Sequence, residues 1–169
     1  MRTAAYKVDV ASDRRRRENE PRHILCAIAG WKGKIMELFL GGCYQGKKEY
    51  VLKLHPECKG QVIEGENLPA DWDGMIKELQ EFENPVINHL HLWVRKCLEQ
   101  QADVELLADK LLETYPGLIF ICDEIGNGIV PMDALERDYR ERTGRLQIRI
   151  AEKAERVERI VCGISQRLK

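Results

Sequence analysis

A short run of glycines and lysines is the clearest candidate for chemistry in this chain. The run "GGCYQGKK" occupies positions 41–48, and its spacing fits the phosphate-binding pattern G-x-x-x-x-G-K-[ST] up to the last position. Glycines let backbone N–H groups converge on phosphate oxygens, and a lysine pairs with the outer phosphates. The candidate nucleotide-binding residues are Gly41, Gly42, Cys43, Tyr44, Gln45, Gly46, Lys47 and Lys48. The alternative is a glycine-rich surface turn with a basic end.

Lys48 departs from this pattern, which has a serine or threonine hydroxyl there to meet magnesium. A protonated ammonium has no lone pair for a metal ion. It can replace part of the metal's charge, but it cannot orient phosphate oxygens as a metal template does. We therefore predict binding of GTP or ATP that depends little on magnesium, whose usual ligands are missing.

Two further groups of polar residues follow apolar segments. His89 and His91 are two positions apart on a predicted strand, so both would point to one face and could share a metal ion. No third ligand is evident, and the alternative is two polar substitutions in a strand. Asp123 and Glu124 end a predicted buried strand near the expected nucleotide. Adjacent strand residues face opposite ways, so only one of these carboxylates is expected in the site.

Alternating strand and helix patterns predict the elements that must position these residues. Short apolar runs predict strands within residues 34–42, 61–66, 84–93, 117–125 and 159–164. Helical spacing predicts helices over residues 47–55, 70–83 with Asp71 as N-cap, 94–115, and 131–157 beginning at Pro131. This alternation indicates an α/β fold with a mainly parallel sheet covered by helices on both faces. Ligands in such sheets bind at the carboxyl ends of the strands.

Composition restricts the class of protein. The chain has 169 residues and a net charge of −1, which argues against nucleic acid as the main partner. No apolar run approaches the roughly 20 residues of a membrane span. The six cysteines show no C-x-x-C spacing, which favours a reduced, cytoplasmic protein. Residues 1–33, with four consecutive arginines, are predicted to be a poorly ordered extension before a single domain over residues 34–169.

The second half of the chain resembles a known family. The stretches "ICDEIGNGIVP", "GRLQIRIAEKAERV" and "IVCGISQRLK" are similar to motifs of the adenosylcobinamide kinase / adenosylcobinamide-phosphate guanylyltransferase family. Its members resemble "NEVGxGIVP", then "GxxNQxLAxxADEV", then a strand ending in "SGIPxxLK". The matching positions are Glu124, Gly126, Gly128, Ile129, Val130, Pro131, Gly144, Ala151, Val157, Gly163, Ile164, Leu168 and Lys169. The family's "GGARSGKS" and "DCLTLW" correspond here to "GGCYQGKK" and "NHLHLW".

This resemblance implies a P-loop, RecA-like fold and a role in cobalamin synthesis. Members phosphorylate a hydroxyl of adenosylcobinamide with ATP or GTP, then transfer GMP to that phosphate through a guanylylated histidine. The implied partners are nucleotide, a corrinoid substrate and further copies of the chain in a trimer. By resemblance the catalytic candidates are Lys47 and Glu124.

Three departures separate this chain from the family pattern. Lys48 replaces the metal-binding hydroxyl, and Asn88 replaces the acid of the middle strand. The segment between the glycine loop and that strand is short, and its only histidine, His55, precedes the second strand. No residue matches the guanylylated histidine, so we predict no covalent GMP step. Two hypotheses remain: a divergent cobinamide kinase, or a catalytically degenerate nucleotide-binding accessory protein of the corrinoid pathway.

Overall fold

A computed structural model describes residues 34–169, which form a six-stranded sheet with helices on both faces. The strands are β1 (Glu37–Gly41), β2 (Val62–Glu64), β3 (Val86–Asn88), β4 (Ile119–Asp123), β5 (Arg156–Val161) and β6 (Ile164–Arg167). Their order across the sheet is β2-β3-β4-β1-β5-β6. All neighbouring pairs are parallel except β5 and β6. The predicted α/β class and mainly parallel sheet are confirmed.

The helices are α1 (Lys47–Leu54), α2 (Trp72–Gln80), α3 (Leu90–Glu99), α4 (Val104–Thr114) and α5 (Ala134–Lys153). A short 3-10 helix spans Pro56–Cys58. Asp71 is the N-cap of α2 as predicted, because its side chain accepts a hydrogen bond from Gly74 N at 2.8 Å. None of the described helices is long and apolar enough to cross a membrane.

The sheet is buried on both faces. Leu38 of β1 and Phe120 of β4 belong to a large cluster under α3, α4 and α5, whereas Phe39 and Ile121 belong to a smaller cluster under α1. Successive strand residues point to opposite faces, so each central strand supplies both clusters. All five residues of β4 are buried, which explains why its sequence is continuously apolar rather than alternating.

The prediction for residues 84–93 was partly wrong. The strand β3 ends at Asn88, and α3 begins at Leu90. Leu90, Trp93 and Val94 are all buried on one side of that helix, at the i, i+3, i+4 spacing of an apolar helix face. His89 and His91 therefore do not share a strand face. His89 lies at the junction with a left-handed backbone, φ 50°.

The predicted helix over residues 94–115 is two helices. Gln101 has a left-handed backbone, φ 57°, and Asp103 caps α4 by accepting a hydrogen bond from Leu106 N at 3.0 Å. A new N-cap after a left-handed residue ends one helix and starts another. Helix α5 likewise begins at Ala134 rather than at Pro131, because Asp133 provides its N-cap.

The chain ends in a hairpin that the sequence patterns did not predict. Strand β5 is followed by the antiparallel β6, and the turn between them holds Cys162 and Gly163, with φ 51° and 75°. Two positive φ values are the signature of a type I′ hairpin turn. The predicted extension over residues 1–33 lies outside the described residues.

Candidate functional site

The glycine loop joins the carboxyl end of β1 to the start of α1, as predicted. A Cβ at Gly41 would lie 2.3 Å from the Ile160 carbonyl oxygen, so this position requires glycine. Gly46 is the N-cap of α1 with φ 79°, a conformation that glycine adopts without strain. The loop therefore leads into the positive end of α1, which suits a phosphate group.

The terminal hairpin braces this loop. Gln45 accepts two hydrogen bonds from the β5–β6 turn: its Oε1 from Cys162 N at 2.7 Å and its carbonyl oxygen from Gly163 N at 2.9 Å. Tyr50 of α1 also donates to Ser165 of β6 at 2.9 Å. Only the folded chain brings these residues together, because more than one hundred positions separate them in sequence. The hairpin thus fixes the shape of the loop from the side opposite β4.

Lys47 lies under the loop and is 6% exposed. Its Nζ donates to the Gly42 carbonyl oxygen at 2.8 Å and pairs with Asp123 Oδ1 at 2.6 Å. Burial opposes ionisation of Asp123, but the hydrogen bond and the charge of Lys47 outweigh it and hold the pKa of this carboxyl below its usual range. An ammonium carries three N–H donors, so one remains for a phosphate oxygen beside these two partners.

Asp123, rather than Glu124, contacts the lysine of the loop. Glu124 pairs with Arg159 at 2.8 Å, and its backbone N donates to the Gly41 carbonyl oxygen at 3.0 Å. Only one of the two carboxylates faces Lys47, as the alternation of strand residues predicts. The register of β1 and β4 pairs Gly41 with Asp123, and it therefore determines that Asp123 is the carboxylate that faces Lys47. The catalytic role given to Glu124 by resemblance stays a prediction.

Lys48 pairs with a second carboxylate, that of Glu64. Its Nζ is 2.8 Å from Glu64 Oε1 at the end of β2. The other oxygen of Glu64 accepts from Asn88 Nδ2 at 2.7 Å and lies 2.9 Å from His89 Nδ1. Burial opposes ionisation of Glu64, but the hydrogen bonds from Lys48, His89 and Asn88 keep its pKa below the usual value. The sequence did not indicate Glu64, since no motif contains it.

The two histidines lie in different environments although their rings meet edge-on, with centroids 5.6 Å apart. His91 is buried, and its Nδ1 accepts a hydrogen bond from Asp123 N at 3.4 Å. Burial lowers the pKa of His91 to about 4, against the attraction of Asp123. His91 is thus neutral at pH 7. His89 remains 41% exposed.

The residues of this site do not fit the magnesium of the glycine-loop pattern. The described part of the chain contains no group of three or more His, Cys, Asp or Glu residues that could hold a metal ion. Lys48 stands where the hydroxyl ligand belongs, and the carboxylates of Asp123 and Glu64 are each paired with a lysine. A hard cation would have to displace both ammonium groups.

The loop and the Glu64 side form two walls of one cavity of about 690 Å³. This volume lies within the range typical of sites for small molecules. The predicted loop residues that line it are Cys43, Tyr44, Gln45, Gly46, Lys47 and Lys48. The opposite wall comprises Glu64, Glu66, Asn88, His89 and Leu92. A phosphate donor on the loop would thus have a second ligand space beside it.

The chain is similar in sequence to known proteins over most of its described residues. A family model described as cobinamide kinase / cobinamide phosphate guanyltransferase matches residues 49–168. The match begins directly after the glycine loop, so the loop is identified by its own motif and geometry. Over 108 residues the chain is 28% identical to the bifunctional adenosylcobalamin biosynthesis protein CobU of Salmonella typhimurium. That alignment covers 64% of this chain and 49% of the relative, so the chain spans about half the relative's length.

Proposed function

Because the chain belongs to the cobinamide kinase / cobinamide phosphate guanyltransferase family, we propose that it binds ATP or GTP at the glycine loop. It transfers the terminal phosphoryl group of that nucleotide to a hydroxyl of adenosylcobinamide, in cobalamin biosynthesis. The observation that carries this proposal is the position of Lys47. Its buried ammonium lies under a glycine loop that opens into a cavity with room for a second ligand.

Phosphoryl transfer depends mainly on positioning and on neutralising charge at the transferred group. Two features supply this: the positive end of α1 and the charge of Lys47. Asp123 holds Lys47 in place, and the terminal hairpin holds the loop. These contacts within the chain hold the site in shape, which lowers the cost of organising it around the phosphates.

The second reaction of the family, transfer of GMP through a histidine, is not part of the proposal. No residue between the glycine loop and β3 matches the guanylylated histidine. His55 lies at the amino end of β1, away from the loop at its carboxyl end, and is paired with Glu37 at 2.9 Å. After incubation with GTP we expect intact-mass spectrometry to show the unmodified chain. A mass increase corresponding to GMP, lost when one histidine is replaced, would contradict this.

The second candidate function is nucleotide binding without catalysis, as an accessory protein of the corrinoid pathway. Two observations favour it: the ammonium of Lys48 in place of a hydroxyl, and the amide of Asn88 in place of an acid. Both candidates require nucleotide binding, and they differ only in phosphoryl transfer. The trimeric assembly implied by resemblance stays a prediction in either case.

A thermal-unfolding titration tests the proposal. GTP or ATP at 100 times Kd should raise the free energy of unfolding by about 2.7 kcal/mol, because only the folded chain binds the nucleotide. Lys47→Ala should remove this increase. Lys53→Ala, an exposed lysine in the last turn of the same helix, should leave it intact. An unchanged melting temperature of the unmodified protein in millimolar nucleotide would refute both candidate functions.

A further inference from the structure

His89 occupies an unusual point of the backbone. It is the residue between β3 and α3, and its φ of 50° is left-handed. Such a conformation is strained for a non-glycine residue and persists where surrounding contacts enforce it. Here Gly65, the residue after β2, does so: a Cβ at Gly65 would lie 2.3 Å from the His89 carbonyl oxygen, and Gly65 N donates to the Asn88 carbonyl oxygen at 2.7 Å. The close approach fixes His89 at the cavity wall.

The hydrogen bond to Glu64 determines which nitrogen of His89 carries the proton. Glu64 is ionised at pH 7 and can only accept, so the 2.9 Å contact requires a hydrogen on His89 Nδ1. In the neutral imidazole the lone pair then lies on Nε2. Asn88 Nδ2, 3.1 Å from Nδ1, gives its hydrogen to the same carboxylate oxygen. The Glu64–His89 pair is thus a carboxylate-oriented histidine with a basic nitrogen available beside the cavity.

We propose that His89 Nε2 is the general base that accepts the proton of the acceptor hydroxyl, and that Glu64 is its positioning residue. This inference rests on the proposed phosphoryl transfer. The acceptor oxygen forms a bond to the terminal phosphorus, and the bond from that phosphorus to the bridging oxygen breaks. Its electron pair leaves with the nucleoside diphosphate. The hydroxyl proton moves to Nε2, and the half-exposed imidazolium releases it to solvent.

The charged and titratable groups around His89 are compatible with this role. Glu64 faces it from β2, Lys48 reaches the same carboxylate from α1, and His91 meets its ring from α3. Lys48 Nζ donates to Glu64 Oε1, so Glu64 Oε2 remains the acceptor for His89 Nδ1. His91 is neutral and adds no repulsive charge. Lys48 thus helps to hold the carboxylate that orients the base, which gives this departure from the loop pattern a function.

His91 does not serve as the base. Its Nδ1 accepts a hydrogen bond from the backbone of Asp123, and its Nε2 faces the Asp123 carboxylate at 3.9 Å. Both ring nitrogens are therefore directed toward β4, whereas His89 lines the cavity. A general base must come within hydrogen-bond reach of the proton that it removes, and of these two rings His89 is the one beside the ligand space.

The test uses His89→Gly with and without added imidazole. Glycine adopts the left-handed conformation freely, and its missing side chain leaves room for imidazole. His89→Asn is the second variant, since asparagine also tolerates that conformation. Gln101→Gly, at another exposed left-handed position, is the matched control for the backbone change. The assay measures formation of nucleoside diphosphate from GTP or ATP with adenosylcobinamide, together with nucleotide affinity.

We expect both His89 variants to keep nucleotide affinity within about twofold of the unmodified protein. Their kcat should fall by about 10²–10⁴-fold, the usual contribution of general base catalysis. Imidazole should restore the rate of His89→Gly at least tenfold, and Gln101→Gly should retain full activity. Glu64→Gln should lower kcat without changing nucleotide affinity, because it weakens the hydrogen bond that orients the ring.

Other outcomes overturn the inference. A kcat within threefold of the unmodified protein in both His89 variants, or no rescue by imidazole, excludes a base at this position. A GMP adduct on His89 would make it a nucleophile instead. Absence of phosphoryl transfer in the unmodified protein that nevertheless binds nucleotide refutes this inference and supports the accessory role. Absence of nucleotide binding refutes the proposed function itself, so the two failures are distinguishable.

Discussion

Lys47 and Lys48 are neighbours in the chain, yet Lys47 pairs with a buried carboxylate and Lys48 with a partly exposed one. We call the Lys47–Asp123 pair the buried wall and the Lys48–Glu64 pair the open wall. Lys47 and its partner Asp123 have side chains 6% and 8% exposed, whereas Lys48 and Glu64 are 41% and 29% exposed. Successive helix residues point about 100° apart. At the start of α1 this rotation directs one lysine under the loop and the next toward the mouth of the cavity.

The comparison shows that burial decides what a lysine–carboxylate pair does. In the buried pair each charge depends on the other, because neither has water to replace it. The buried wall is therefore fixed before a ligand binds. In the open pair water competes with Lys48 for Glu64. In the proposed reaction the Lys48–Glu64 pair can consequently rearrange around an acceptor, while the Lys47–Asp123 pair would hold the phosphate donor.

Neutralising one carboxylate in each pair should give the largest difference in the free energy of unfolding. Asp123→Asn leaves the ammonium of Lys47 buried without a counter-charge, and we expect a loss of about 3–5 kcal/mol in the free energy of unfolding. Glu64→Gln, the same change on the open wall, should cost about 1 kcal/mol or less. Urea denaturation of both variants and the unmodified protein provides the measurement. Equal losses would show that the two pairs do not differ in the way that their burial indicates.

The buried His91 makes the stability depend on pH. The pKa of His91 is lowered to about 4 from 6.5, so between these values the unfolded chain binds a proton that the folded chain does not. Stability should be highest above pH 6.5 and fall by about 2 kcal/mol as the pH drops toward 4.5. Asp123 has its pKa held below 3.8 and contributes its own loss only in stronger acid.

Replacing His91 separates its contribution to the pH dependence of stability from that of Asp123. His91→Gln should flatten the stability profile between pH 6.5 and 4.5, measured by urea denaturation at several pH values. A slope that survives in His91→Gln would assign the pH dependence to another group.

The smallest expected effect concerns magnesium. In the unmodified protein nucleotide affinity should differ less than about threefold between magnesium and a chelator, a free-energy difference under about 1 kcal/mol. Lys48→Ser with Asn88→Asp restores a hydroxyl and an acid, both hard oxygen ligands, beside the loop. In that double variant we expect at least a tenfold dependence on magnesium. Strong dependence in the unmodified protein would mean that another group, such as Glu124, already holds the metal.

The sequence by itself determined the parts that depend on neighbouring residues. Glycine spacing predicted the loop between β1 and α1, helical spacing predicted α1, α2 and α5, and the continuous apolar run predicted β4. These signals are local because backbone conformation and face periodicity are set within a few residues. The same locality explains the error at residues 84–93. Alternating "HLHLW" fits a strand over five residues, and only packing against the core selects the helix.

Tertiary structure alone decided which side chains meet at the cavity. The register of β1 against β4 places Asp123 beside Lys47, and the parallel pairing of β2 with β3 places Glu64 beside Asn88 and His89. Residues far apart in the chain also form the brace between Gln45 and the terminal hairpin. Partners at such separations are fixed by strand order and register. Strand order and register depend on how the whole core packs, so they cannot be predicted from a local sequence pattern.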